Sequence, residues 1–261
     1  MHVTEAGSGV PLVLLHQSPL SGAMFLPALS LLAAAGFRAI AIDTPGFGAS
    51  DPPPAPQSIA AHAEALLPAL DALGCGRVHM LGNHTGASTA AAFAARHPGR
   101  IDRLILNGVA LLDDAERAFF AGFEFAPLVL RADGSHLADA WQQRLKATPG
   151  WTDLGAMHRH LVTMLANPDR YFWGFDAVFA HDLAADLARI TAPTLVFTNS
   201  GDDLYAASCR AAAAWPNWAF RSLNGGTHDI IDEQPGAWAG IVTDFLKAEP
   251  PAVVLGPPAV I

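Results

Sequence analysis

The residue with the clearest chemical promise is His84, at the centre of Gly82-Asn83-His84-Thr85-Gly86. The preceding Val78–Leu81 reads as a buried strand, and the small residues from Thr85 to Arg96 read as a helix. A chain that turns this sharply from strand to helix brings backbone too close for a Cβ. A glycine two residues before the apex and another two after it is what such an elbow needs. Ala87, Ser88 and Ala90 then let the helix pack closely on a sheet. The positive end of that helix disfavours a second positive charge, so His84 is expected to be neutral at pH 7. A neutral imidazole carries a lone pair. His84 either attacks a carbonyl, giving an acyl-imidazole that water opens, or orients the substrate through one hydrogen bond while another group is activated. Ser88 lies about one helical turn beyond and cannot take its place.

The elements that must position this turn follow from the hydrophobic pattern. Strands are predicted at Pro11–Leu15, Arg38–Ile42, Val78–Leu81, Leu104–Leu106, Thr194–Thr198 and Phe220–Leu223. Helices are predicted at Met24–Ala35, Ser58–Leu73, Thr85–Arg96, Leu204–Ala214 and Pro235–Lys247. The strands are apolar almost throughout, as strands covered by helices on both faces must be, which makes this an α/β chain with a mostly parallel sheet. A length of 261 residues suits one such domain. From Asp113 to Arg189 the rhythm breaks: Phe119, Phe120, Phe123, Phe125, Trp141, Trp151, Tyr171, Phe172, Trp173, Phe175 and Phe179 crowd a stretch with no convincing strand. Ligands of open α/β sheets bind beyond the carboxyl ends of the strands, so an insertion there would roof the site. The expected division is a core of residues 1–112 and 190–261 with a helical cap of 113–189. Most of the aromatics serve to pack the cap, while Trp141 and Trp151 are expected to meet the substrate.

Four further motifs resemble the α/β-hydrolase fold superfamily, in the order that superfamily keeps. His16-Gln17-Ser18-Pro19 is similar to its His-Gly-x-Pro turn, and Asp43-Thr44-Pro45-Gly46-Phe47-Gly48-Ala49-Ser50 to its Asp-x-x-Gly-aromatic-Gly-x-Ser loop. Pro193–Asp202 resembles the strand that ends in its catalytic acid, and Gly226-Thr227-His228 falls where it keeps a catalytic histidine. The resemblance implies an α/β-hydrolase fold, with His228 and Asp202 as base and acid and the backbone N–H groups of Thr85 and Ser18 as the oxyanion hole. Asp203, or less favourably Asp113 or Asp114, is an alternative acid. The chain departs from the pattern where the superfamily has Ser, Cys or Asp and this sequence has His84. It departs again where Gln17 replaces a glycine, adding a side-chain amide that either meets water or substrate or serves a nearby loop. The first strand is expected to be short or absent.

Composition narrows the function further. With 51% hydrophobic and 15% charged residues the chain has a large buried core and is not disordered. A net charge of −9 argues against nucleic acid or an anionic membrane as partner. Cys75 and Cys209 make neither a disulfide framework nor a metal site. His158 and His160 point to different sides of a helix, so no metal is expected. Arg131, Arg159 and Arg170 read as solvated, and the apolar tail from Pro250 to Ile261 as a docked or frayed terminus. With neither a secretion signal nor a span, the expectation is a cytoplasmic monomer or homodimer without cofactors. Three functions fit: a hydrolase of a small, largely apolar ester, lactone, thioester or C–C-linked ketone; a lyase using a His228–Asp202 pair; or a ligand-binding protein that keeps the pocket.

Overall fold

Alternation along the strands decides the architecture. In the computed structural model, which describes residues 1–121 and 129–248, seven strands form one sheet. They are β1 (Val3–Ala6), β2 (Val10–Leu15), β3 (Phe37–Ile42), β4 (Val78–Asn83), β5 (Ile101–Asn107), β6 (Thr194–Asn199) and β7 (Ala219–Leu223), in the order β1-β3-β2-β4-β5-β6-β7. All neighbours are parallel except β1, which runs antiparallel to β3 and pairs Val3 with Ile42 through Ala6 with Ala39. The first strand, expected to be short or absent, is present and short, with four residues. Val3-Thr4-Glu5-Ala6 is an edge strand with only partial burial, so its apolar signal is weak.

Eleven helices are described around this sheet. Three precede the insertion: α1 (Leu26–Ala34), α2 (Ile59–Ala72) and α3 (Thr85–Arg96). Within it lie α4 (Asp114–Ala121), α5 (Ser135–Ala147), α6 (Leu154–Leu165), α7 (Trp173–Phe179) and α8 (Leu183–Leu187). Last come α9 (Tyr205–Ala214), α10 (Ile230–Glu233) and α11 (Pro235–Lys247). The helix predicted from Met24 begins as a 3₁₀ turn over Gly22–Phe25, with Ser21 accepting from Ala23 N–H, before α1 starts at Leu26. Phe123, Phe125 and the tail from Pro250 lie outside the described residues.

Successive strand residues feed two separate cores. Val13, Leu15, Ile40, Ile42, Met80 and Leu106 pack on one face with Ile59, Ala63 and Leu66 of α2 and the alanines of α3. Leu12, Leu14, Ala39, Ala41, Leu81 and Phe197 pack on the other with Leu29 and Leu32 of α1 and Trp238 and Val242 of α11. Fully burying each Leu or Ile side chain is worth about 1.5–3 kcal/mol, which is why a one-residue slip in register is not tolerated. Trp238 is wholly buried, and its Nε1–H is satisfied by Asn107 Oδ1 at 2.7 Å. This double-sided packing holds the carboxyl ends of β2, β4, β5 and β6 rigid. Functional side chains project from there.

Candidate active site

At the end of β4 the backbone of His84 has φ 51° and ψ −109°, making it the non-glycine residue with positive φ among the described residues. Such a conformation costs on the order of 1–3 kcal/mol and persists only where the surroundings impose it. Here they do. A Cβ on Gly82 would lie 2.0 Å from Gly86 O, and one on Gly86 would lie 2.1 Å from Leu15 O. The turn is thus locked between its own helix and β2, and His84 N–H is held by Asn107 O at 2.8 Å.

The ring of His84 needs a second accommodation. Gly108, just after β5 and at φ 67°, leaves so little space that a Cβ there would lie 2.3 Å from His84 Cδ2 and 2.6 Å from Nε2. With that edge of the ring seated, Nε2 meets Asp202 Oδ2 at 2.9 Å. Asp202 is deeply buried, and its other oxygen, Oδ1, accepts from Leu204 N–H at 2.7 Å. A carboxylate so held is an acceptor only, so Nε2 carries the proton and Nδ1 carries the lone pair. The Nδ1 edge is opposite the seated edge, and His84 lines the large cavity described below. Burial disfavours a charge on this ring, but the carboxylates of Asp202, Asp203 and Asp229 outweigh it and raise the imidazole above its ordinary value. The expectation of a depressed, helix-neutralised His84 is therefore corrected: a charge-assisted hydrogen bond at 2.9 Å outweighs the partial charge of a helix end.

The expected His228–Asp202 pair is also corrected, because the larger elbow side chain has taken Asp202 for itself. His228 Nδ1 lies 3.5 Å from Asp203 Oδ2, an acid whose side chain is 78% exposed. His228 Nε2 receives Arg144 Nη1–H at 2.9 Å and has Asp229 Oδ2 at 3.4 Å. Bonding to His228 holds the Asp203 carboxyl below its usual range.

Gln17 is spent on its neighbours. Its Oε1 accepts from Asn83 Nδ2 at 2.6 Å, and its Nε2 donates to Asp229 Oδ1 at 3.4 Å. Of the two backbone groups expected as oxyanion donors, Thr85 N–H opens α3, while Ser18 N–H points to Thr85 Oγ1 at 3.3 Å. Both residues line the cavity. Ser18 is roofed by α7, where a Cβ on Gly174 would lie 1.8 Å from Ser18 Oγ. His16 is structural, its Nε2 receiving Thr44 N–H at 3.0 Å.

The cavity between the strand ends and the helical insertion measures about 600 Å³. Its floor carries Gln17, Ser18, His84 and Thr85, and its roof Leu161, Met164, Leu165, Tyr171, Phe172 and Phe175. Trp141 and Trp151, expected to meet the substrate, do not line it. Trp151 instead packs edge-on against His160, with the Arg144 guanidinium 5.7 Å from its ring centre. Sequence reasoning missed Arg144, whose buried position on α5 falls in the stripe Trp141, Arg144, Thr148, where helical spacing faces inward. It also missed Asp229, although that residue adjoins His228. Arg170, expected to be solvated, is largely buried and donates to Gly46 O at 3.3 Å, whereas Arg131 and Arg159 remain largely exposed. His158 is exposed and His160 buried, so the two do point apart. No helix among the described residues is long and apolar enough to cross a membrane.

Known proteins share this fold. Over 95% of its length the chain is 31% identical to the 2-hydroxy-6-oxononadienedioate/2-hydroxy-6-oxononatrienedioate hydrolase 2 of Pseudomonas putida, covering 91% of that protein. It is 29% identical, over 88% of this chain and 87% of the relative, to a putative carbamate hydrolase of Caulobacter sp. (strain K31). Among solved structures, a hydrolase from Pseudomonas aeruginosa PA01 matches at 27% identity with a TM-score of 0.76, covering 94% of each chain. The enol-lactonase of Burkholderia xenovorans LB400 shares the fold at 24% identity, with a TM-score of 0.75 over 95% of this chain and 96% of its own. The family profile described as alpha/beta hydrolase fold matches residues 10–235, spanning the elbow, the Asp202 turn and His228. With that span matched and relatives that are hydrolases along nearly their whole length, the chain belongs to the α/β-hydrolase fold family.

Proposed function

We propose that this protein hydrolyses a small, largely apolar carbonyl compound through an acyl-histidine intermediate on His84. The observation that carries the reading is the His84 Nε2–Asp202 Oδ2 bond of 2.9 Å at the strained apex of the elbow, on the floor of an apolar cavity of about 600 Å³. The helical insertion acts as the cap of that cavity. The relatives' names point to carbonyl substrates as well: an oxononadienedioate, a carbamate and an enol-lactone.

The steps balance as follows. The Nδ1 lone pair of His84 forms a bond to the carbonyl carbon, and the carbonyl π pair moves to oxygen. The N–H groups of Thr85 and Ser18 receive that oxyanion, once Ser18 turns from Thr85 Oγ1. Collapse of the adduct expels the alkoxide, thiolate or enolate, which is protonated by water. The acyl-imidazolium left on His84 keeps its Nε2–H on Asp202, whose buried charge offsets the new positive charge. Water then adds to the acyl carbon, passing its proton to His228; the acid departs with restoration of neutral His84, and His228 returns its proton to the hydroxide left when the leaving group was protonated. The same field that raises the ionisation of His84 stabilises this cationic intermediate. One group of charges therefore serves both states.

Rapid quench with a p-nitrophenyl ester should trap an acyl group on His84, and His84→Ala should abolish both adduct and turnover. Turnover that survives His84→Ala but is lost in His228→Ala would overturn the nucleophilic role and leave direct base catalysis.

A further inference from the structure

The reaction as derived leaves four largely buried ionisable side chains unexplained beside His228, of which Arg144 also lines the cavity. Arg144 and His160 come from α5 and α6 of the insertion, whereas Asp229 immediately precedes α10 of the core and Asp232 lies within it. Their side chains are 5%, 6%, 0% and 5% exposed, respectively. Such groups leave water together only if each finds a partner.

Each does. Arg144 Nη2 donates to Asp229 Oδ2 and Nη1 to His228 Nε2. His160 Nδ1 lies 3.1 Å from Asp229 Oδ1 and 3.0 Å from Arg144 Nη2, and its Nε2 lies 2.7 Å from Asp232 Oδ2. Arg159, also on α6 and largely exposed, donates to Asp232 Oδ1 at 3.2 Å. Trp151 covers one edge of His160. Burial works against charge on His160, but the two flanking carboxylates prevail and raise its ionisation. Burial likewise pushes the Asp229 carboxyl up, and His228, His160 and Arg144 together bring it down to about 2.

The consequence falls on His228. A guanidinium has donors only, so the nitrogen it bonds must be the one with the lone pair. Arg144 thereby fixes Nε2 of His228 as acceptor and leaves its proton on Nδ1, toward Asp203. Asp229 Oδ2, 3.4 Å from the same Nε2, is placed to receive an N–H there once His228 is protonated. Arg144 is the partner of neutral His228, and Asp229 the partner of its imidazolium. Because Arg144 and His160 belong to the insertion and both carboxylates to the core, this arrangement exists only while the insertion is docked.

We propose that Arg144, Asp229, His160 and Asp232 form a positioning network that sets the tautomer of His228 and makes it conditional on docking of the helical insertion. The inference rests on the reading above, in which His228 takes the proton of the attacking water; that proton goes to Nε2, where it displaces the Arg144 N–H.

Histidine-labelled protein tests it by ¹⁵N NMR, which reports the tautomer of His228 without any substrate. The variants are Asp229→Asn, His160→Gln and Asp232→Asn, with kcat and KM measured on p-nitrophenyl butyrate and amide exchange followed in α5 and α6. Wild-type His228 should be the Nδ1–H tautomer. In Asp229→Asn kcat should drop by about tenfold to a hundredfold, with little change in KM. His160→Gln and Asp232→Asn should mix the tautomers and speed exchange in α5 and α6. If Asp229→Asn fails to fold, those two variants carry the test. The proposal is overturned if His228 keeps its tautomer in the variants that fold while only thermal stability declines. If the NMR response appears but wild type leaves the ester untouched, the hydrolytic reading fails and the network stands.

Discussion

Replacing Asp202 by asparagine changes one atom, and the surroundings dictate where that atom goes. Asp202 Oδ1 accepts from Leu204 N–H at 2.7 Å, and an amide NH2 in that position would set donor against donor. The asparagine oxygen must therefore stay on Leu204, which turns its NH2 toward His84 Nε2, now at 2.9 Å from Oδ2. An amide N–H bonds only to a lone pair, so the proton of His84 moves to Nδ1 and the reactive lone pair leaves the cavity. A histidine held in the wrong tautomer loses about 10³–10⁴-fold in kcat, a barrier increase of roughly 4–5 kcal/mol. Folding should suffer far less, by about 1–2 kcal/mol, because a hydrogen bond remains and only its charge assistance is lost. The pH profile should respond too. On the proposed mechanism His84 must be neutral to attack, so kcat/KM rises with pH through a midpoint above the ordinary imidazole value, where the carboxylates outweigh burial. Without the Asp202 charge, burial prevails and the midpoint moves down. Steady-state kinetics across pH with urea unfolding as control would decide it. Asp202→Asn activity within about tenfold of wild type, or an unmoved midpoint, would refute the dyad.

Three further outcomes follow from the same geometry. His84→Ala should destabilise the protein by about 3 kcal/mol in urea unfolding, because the buried Asp202 carboxylate loses its partner. His84→Gly should recover about 1 kcal/mol of that by relaxing the positive φ. Gly108→Ala would place a methyl 2.3 Å from His84 Cδ2; it should expel the ring from its seat and lower kcat by about 100-fold or more, with KM for p-nitrophenyl butyrate checking that the cavity survives. His160 has a raised ionisation, so the stability it adds is fully present below the unfolded histidine pKa and is lost as pH rises through its folded value. Melting temperatures of wild type and His160→Gln should accordingly differ most at mildly acid pH and converge as pH rises.

Much of the scaffold is legible because two periodic signals coincide. Apolar runs such as Val78–Leu81 and Thr194–Thr198 can only be strands buried on both faces, and the glycine pair around His84 can only be a tight turn into a helix. Thr85–Arg96 and Pro235–Lys247 have the bounds that the pattern predicts. Side-chain partners are another matter. The pairing of Asp202 depends on how far the apex residue reaches, and an imidazole seated on Gly108 reaches the acid that a shorter side chain would leave to His228. Arg144 is hidden for a different reason. Its helix reads as polar, with Gln142, Gln143 and Lys146 around it, so the one inward charge is visible only once the stripe through Trp141 and Thr148 is known to face the core. Trp141 and Trp151 misled because large aromatics fill a cap interior as readily as they line a pocket.

The bare backbone at Gly108 has a meaning for history as well as for packing. A histidine cannot settle at position 84 until position 108 has no side chain, and once it has settled, any side chain at 108 is penalised at once. The two sites therefore constrain the order in which changes can accumulate: glycine first, histidine second, and no easy retreat afterwards. His84→Ser alone would leave an empty seat beside β5 and a His228 still tethered to Arg144, so that change would not by itself make a serine enzyme.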